Sequence, residues 1–136
     1  MYTEITTVQK AFKKQKDKID LKKLPDLSIL PDRFRRGMLA LLKLQVIIEA
    51  VNNDDPKVPD WKADYNDDNQ KKWFPWYVNG SADGSGSGFR FSVSDYSWTV
   101  TLAIGGARLS LKDEARAKHM NKYFSDLYKE LYLILF

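Results

Sequence analysis

Cysteine is absent from the 136 residues, which excludes a disulfide framework, thiolate-bound zinc, iron–sulfur clusters and thiol catalysis. Histidine occurs once, as His119, so the imidazole clusters that hold most transition metals cannot form, and base chemistry at neutral pH has a single candidate. Long hydrophobic runs are missing too. The longest, residues 38–51, is interrupted by Lys43, Gln45 and Glu49 and is too short to cross a bilayer. Residues 1–5 carry no basic stretch followed by an apolar one, so no secretory signal is expected there. These absences favour an intracellular, cytoplasmic protein.

What is present is charge, unevenly spread, and aromatic rings. Residues 1–50 hold 11 basic and 6 acidic side chains, residues 51–88 hold 4 and 7, and residues 89–136 hold 7 and 5, for a net +4. A basic first third beside an acidic middle is able to steer a polyanion, although +4 is ordinary for a small domain. Ten aromatic residues fall between positions 61 and 98. Rings of that size fill a small core efficiently, so packing is their first expected role.

Hydrophobic spacing predicts a polar, Lys-rich helix over 3–18, with Ile5, Val8 and Phe12 as a thin apolar stripe that docks weakly. The Pro-bracketed segment 24–31 reads as extended. Asp32 is then the expected N-cap of a helix from Arg33 to about Asn52, apolar nearly all round and therefore buried on most sides. Asn52, Asn53, Asp54, Asp55 and Pro56 end it, and an irregular stretch runs to about Lys72. Strands are predicted at 73–78, 89–94, 98–104 and 107–109. Ser110, with Asp113 at the third helical position, is the expected cap of a C-terminal helix whose stripe is Met120, Phe124, Leu127, Leu131 and Leu135. The expected fold class is α+β: a small antiparallel sheet of three or four strands packed against a buried central helix and a C-terminal helix, with the weaker N-terminal helix in front. The expected organisation is a basic extension, 1–23, followed by a single domain, 24–136.

Few residues gather into a pattern that chemistry would require. Asp64, Asn66 and Asp68 match the first three ligand positions of a calcium loop, but the sixth position is Asn69 instead of glycine and the twelfth is Pro75. Asx turns, in which such side chains bond their own backbone, explain that stretch better. The glycine-rich segment 80–88 runs into a predicted strand, where a phosphate loop would open a helix. His119, between Lys118 and Met120 at the edge of its stripe, is expected on the solvated surface. No nucleophile–base pair and no convergent carboxylates can be read from the spacing, so the expectation is a non-enzyme without metal or cofactor.

Residues 60–77, Asp-Trp-Lys-Ala-Asp-Tyr-Asn-Asp-Asp-Asn-Gln-Lys-Lys-Trp-Phe-Pro-Trp-Tyr, are followed by Ser87-Gly88-Phe89-Arg90-Phe91-Ser92-Val93-Ser94-Asp95-Tyr96 and by Gly106-Ala107-Arg108-Leu109. This order of blocks resembles a family of short proteins carried by phages and prophages of gut anaerobes, over about residues 24–125. Arg90 stands where that family has a glycine, and Ala107 where it has a serine. The resemblance implies a phage or prophage origin and assigns no activity.

The function expected from these readings is a non-enzymatic interaction or structural protein of a phage or prophage, binding a protein partner or a second copy of itself. The residues expected to carry those contacts are Trp61, Tyr65, Trp73 and Trp76 of the aromatic block, and Tyr132 and Phe136 of the apolar C-terminal end, which suits either a buried tail or a subunit contact. The alternative is a nucleic-acid-binding accessory protein that uses Lys10, Lys13, Lys14, Arg35 and Arg36 with stacking by exposed rings. No membrane contact is expected, because the first helix is too thinly apolar.

Overall fold

The computed structural model describes residues 1–64, 66–67, 69–79, 89–97 and 109–135, with the side chains of 76–79, 89–97 and 133–135 outside the description. Those residues are mostly helical. They form helices α1 (Val8–Lys13), α2 (Asp32–Asn52) and α3 (Glu114–Leu135), and strands β1 (Lys72–Asn79) and β2 (Phe89–Ser97). The chain divides into two compact units, one made of Met1–Lys62 and Asp126–Phe136, the other of Ala63–Ser125.

In the first unit the predicted helix over 3–18 shrinks to six residues. Thr7 is extended, and its side chain accepts a hydrogen bond from the Lys10 backbone N–H at 3.2 Å, which starts α1. Gln15 ends it. Its amide donates to the carbonyls of Phe12 (2.9 Å) and Ile19 (2.6 Å) and accepts from the Ile19 N–H (2.9 Å), so the backbone finds partners outside a helix. The apolar stripe is not a weak dock: Ile5, Ala11 and Phe12 are buried, and α1 packs against α2.

Helix α2 is the long apolar element the sequence predicts, with two differences. Asp32 is its first residue and does not cap it; Pro31 holds the cap position with no side-chain bond, and its carbonyl accepts from the Arg35 N–H at 3.1 Å. Proline has no N–H to lose there and holds the φ a helix entrance needs. The second difference is burial. Ala40, Leu44, Ile47, Ile48 and Val51 recur at three- and four-residue steps and are buried, as are Val46 and Ala50 on the far side of the last two turns. The first two turns are not enclosed, and Phe34 and Met38 are exposed. In the same unit the last turns of α3 bury Tyr128, Leu131 and Tyr132.

In the second unit β1 and β2 pair antiparallel, from Lys72 opposite Ser97 to Asn79 opposite Phe89, with a bulge between Trp76 and Tyr77. On the other edge of β1, Trp73 exchanges both backbone hydrogen bonds with Leu111, at 2.9 and 2.8 Å. Pro75, two residues on, shares that edge because alternate residues point their backbone groups the same way, and it brings no donor to it.

The expected three- or four-stranded sheet is therefore corrected: the described residues hold a two-stranded ribbon among helices. The predicted strand at 98–104 and most of that at 107–109 lie outside the described residues. Leu109 is buried but is not in a strand, and the bridge is made by Leu111 instead. A proline on one edge of β1 and a single bridged residue beside it leave no continuous ladder for another strand there.

Helix α3 opens on Asp113, which accepts from the Arg116 N–H at 2.8 Å and pairs with the Arg116 guanidinium. Ser110, the expected cap, is buried before the helix begins. The helical dihedrals break at Phe124 (φ −130°, ψ 18°), one residue before the second unit ends. Within that unit Ala117, Met120 and Phe124 are buried.

Candidate functional site

The turn leading into α2 is built by local hydrogen bonds. The Asp26 side chain accepts from the Ser28 N–H at 3.0 Å, and the Leu30 N–H bonds the Leu27 carbonyl at 2.9 Å. The Ser28 bonds hold the Asp26 carboxyl below its ordinary value. This turn presents Ile29 almost fully to solvent, 90% exposed.

One helical turn later Phe34 is 38% exposed and Met38, four residues on, 46%. Residues spaced by four lie above one another on one face of a helix. Leu41 and Leu42 continue the same face and are half-buried, and Gln45 and Glu49 finish it in polar groups. The opposite stripe, through Ala40, Leu44 and Ile47, is the one that packs into the unit. Helix α2 thus has an inner apolar face that is covered and an outer apolar face, over its first half, that is open to solvent.

Charge surrounds the open end. The Arg33 guanidinium lies 4.5 Å from the centre of the Phe34 ring, a cation–π contact that keeps the ring beside a positive charge. Arg35 and Arg36 both pair with Asp32, and Arg36 also pairs with Glu130 of α3. Hydrogen bonds from Arg35 and then Arg36 hold the Asp32 carboxyl below the usual range, and Glu130 and Asp32 raise Arg36 further. This network anchors the start of α2 and takes up two of its three arginines.

The residues expected from the sequence to contact a partner do not come together. Trp61 is half-buried in the first unit, its backbone N–H donating to the Asn53 side-chain oxygen at 2.7 Å. Trp73 is half-buried in the second unit on β1. Trp76 lies on the same strand, its side chain outside the description, and Tyr65 and Phe136 lie outside the described residues. Tyr132 is buried in the first unit, the tail form of the expectation. Of the cations expected to meet a nucleic acid, Lys10, Lys13 and Lys14 are exposed on or beside α1, Lys14 pairing with Glu4, while Arg35 and Arg36 are engaged at the head of α2.

The acidic loop is turn chemistry. Asp64 accepts from the Asn66 N–H at 3.0 Å and Asp67 from the Asn69 N–H at 2.9 Å, while the Gln70 side chain accepts from the Asp64 N–H at 2.6 Å. Sequence reasoning missed the cation at its centre: Lys72 is 2% exposed, and its ammonium donates to the carbonyls of Asp67 (3.2 Å) and Gln70 (3.1 Å). His119 was expected on the surface and is buried, its ring 4.7 Å from that of Tyr123. Its place one position before Met120 puts it beside the inner stripe, which the flanking lysines obscure. Among the described residues no three His, Asp or Glu side chains gather as a metal site would need, and no helix is long and apolar enough to cross a membrane.

No family model, curated protein or solved structure matches this chain.

Proposed function

We propose that this chain is a non-enzymatic interaction protein that binds another protein through the outer face of α2 and the turn before it, with Ile29, Phe34 and Met38 as the anchors. The observation that carries the reading is the exposure of Phe34 and Met38 on a helix whose opposite face already supplies the core of its unit. A Phe–Met pair four residues apart is the anchor spacing by which one helix engages a complementary apolar surface, and methionine adapts its shape to the surface it meets. Contiguous apolar side chains left in water cost free energy that a partner recovers by covering them. The resemblance of the blocks at 60–77 and 87–96 to short phage and prophage proteins supports a role within such an element. The nucleic-acid reading is the weaker one, because Asp32, Glu130 and Glu4 neutralise three of its five cations.

A photoreactive benzophenone side chain placed at Met38, in cells that naturally carry the protein, tests the proposal. The expected result is a covalent adduct of one discrete mass, absent when the same group replaces Lys13 and lost when Phe34→Glu is added. No adduct at position 38 would contradict the reading. Nuclease-sensitive adducts at position 13 alone would favour the nucleic-acid alternative.

A further inference from the structure

We infer that residues 10–23 form a second binding surface, made of residues other than the α2 face, that takes the phosphate backbone of a nucleic-acid duplex without reading its sequence. The inference does not rest on the protein-binding reading.

Charge singles out the segment. Its 14 positions hold seven lysines and two acidic residues, and all seven lysines are exposed. The rest of the chain holds 15 basic and 16 acidic residues, so the net charge of +4 comes entirely from this stretch. Ion pairs take up little of it. Lys14 pairs with Glu4 and Lys16 with Asp60, while among the described residues Lys10, Lys13, Lys18, Lys22 and Lys23 form none. Lys10 and Lys13 are the two cations left over once acids have neutralised Lys14, Arg35 and Arg36, and the other three extend them along the chain.

The backbone beneath these charges is fixed by local bonds. In α1 the buried side carries Ala11 and Phe12, and Lys10 and Lys13, one turn apart, lie on the opposite side. The Lys10 ammonium bonds the Thr6 hydroxyl at 3.1 Å, a neutral acceptor that leaves its charge intact. The Gln15 side chain bonds both backbone groups of Ile19 and closes the loop that carries Lys16 and Lys18. Asp20 accepts from the Lys22 N–H at 2.9 Å and so starts the 3₁₀ turn Leu21–Lys23.

The chemistry of the segment chooses among polyanions. Its cations are all lysines, compact point charges that suit phosphate, with none of the arginines and exposed rings that anchor protein interfaces. An anionic membrane asks for apolar side chains to insert, and Ala11 and Phe12 are buried. A single strand asks for exposed rings on which its bases stack, and the one ring in this stretch is the buried Phe12. A duplex asks for neither, because its phosphates face outward and affinity comes from the counterions they release.

Fluorescence anisotropy of the full chain titrated onto labelled DNA and RNA duplexes of mixed sequence, over a salt series, is the test. About three to five phosphate contacts predict a slope of log affinity on log salt of about −3 to −4.5. That is a loss of roughly 40- to 500-fold between about 50 and 200 mM salt. The tighter of the two duplexes identifies the source of the phosphates. Lys13→Gln and Lys22→Gln are each expected to flatten the slope by about one and to weaken all sequences alike. Asp17→Asn removes the carboxylate between Lys16 and Lys18 and is expected to tighten binding roughly twofold or more. Lys118→Gln, at an exposed lysine of α3, is expected to change little. No binding at the lowest salt overturns the inference, as does a flat salt slope or tighter binding to a single strand. An equal loss in Lys118→Gln overturns it too, since binding would then follow net charge alone. So does tighter binding to polyglutamate or to phosphatidylserine vesicles than to either duplex. In the photocrosslinking experiment, nuclease-sensitive adducts at position 13 beside a discrete adduct at position 38 are the result expected of two surfaces on one chain.

Discussion

Leu44→Ala is expected to lower the unfolding free energy of the first unit by about 2–5 kcal/mol, the cost of deleting a buried branched side chain whose neighbours relax only partly into the gap. Leu44 is completely buried, one turn from Ala40 and from Ile47 and Ile48, on the stripe where α2 meets its own unit. A small domain holds a total stability of about 5–15 kcal/mol, so this loss is a large share of it. Urea unfolding followed by far-ultraviolet circular dichroism measures the change as a fall in midpoint at unchanged slope. A shift under about 0.5 kcal/mol, the range of an ordinary surface substitution, would mean that the stripe through Leu44 is not the core.

The second large effect is expected at Lys72. Its stem is enclosed and its ammonium bonds two backbone carbonyls of the acidic loop, those of Asp67 and Gln70. Lys72→Met keeps the length and apolar volume of the stem but removes the donor. Charge-assisted hydrogen bonds contribute roughly 1.5–3 kcal/mol, and carbonyls left without a donor add a penalty of their own. A loss of about 2–3 kcal/mol is expected on those grounds, with faster amide exchange at Asn66, Asn69 and Gln70, whose N–H groups close the turns on that ammonium. Unchanged exchange and unchanged stability would show that the turns stand on their own Asx bonds. Lys72→Arg is the companion variant: it retains the charge, and if the volume is tolerated it recovers more exchange protection than methionine does.

Some of this was legible in the residues before any fold was known. The apolar content of positions 38–51, broken only by Lys43, Gln45 and Glu49, announced α2, because apolar residues recurring at three- and four-residue steps suit a helix. The Asx character of the loop at 64–70 was legible in its Asp and Asn content, and the pairing of residues 73–78 with 89–94 in their aromatic and β-branched content. What was not legible depended on partners distant in sequence or on competition between caps. Gln15 cut α1 short by bonding the backbone on both sides of itself, a role that periodicity does not register. Asp113 displaced Ser110 as the cap of α3 because the chain through Leu111 is held by Trp73, which keeps Ser110 out of the helix. Among the described residues the sheet holds two strands, fewer than the alternation alone suggests, because alternation does not say which edge would receive a further strand. Pro75 leaves one edge of β1 without a donor.

The candidate site was hidden in the same way. Hydrophobic content alone makes α2 buried on most sides, and that holds for its last two turns, where Glu49 is the exposed residue, but not for its first two. The signal that distinguishes its first half is charge: Arg33, Arg35 and Arg36 beside Phe34, with Gly37 following, mark a stretch where one side of the helix faces water. The aromatic residues at 61–77 drew attention by number, yet among those whose burial is described Trp61 and Trp73 are half-buried and Phe74 is buried, and they are split between the two units. Exposure, not abundance, distinguishes a ring that recognises from a ring that fills space.

The account turns on α2 having two apolar faces with different duties, and unfolding the variant Phe34→Glu, Met38→Glu tests this most directly. Measured at dilutions where association adds nothing to stability, the variant is expected to unfold within about 0.5 kcal/mol of the unchanged chain, as substitutions in water do. A loss approaching that of Leu44→Ala would contradict the account, because it would place Phe34 and Met38 in the chain's own interior and leave no face to offer a partner.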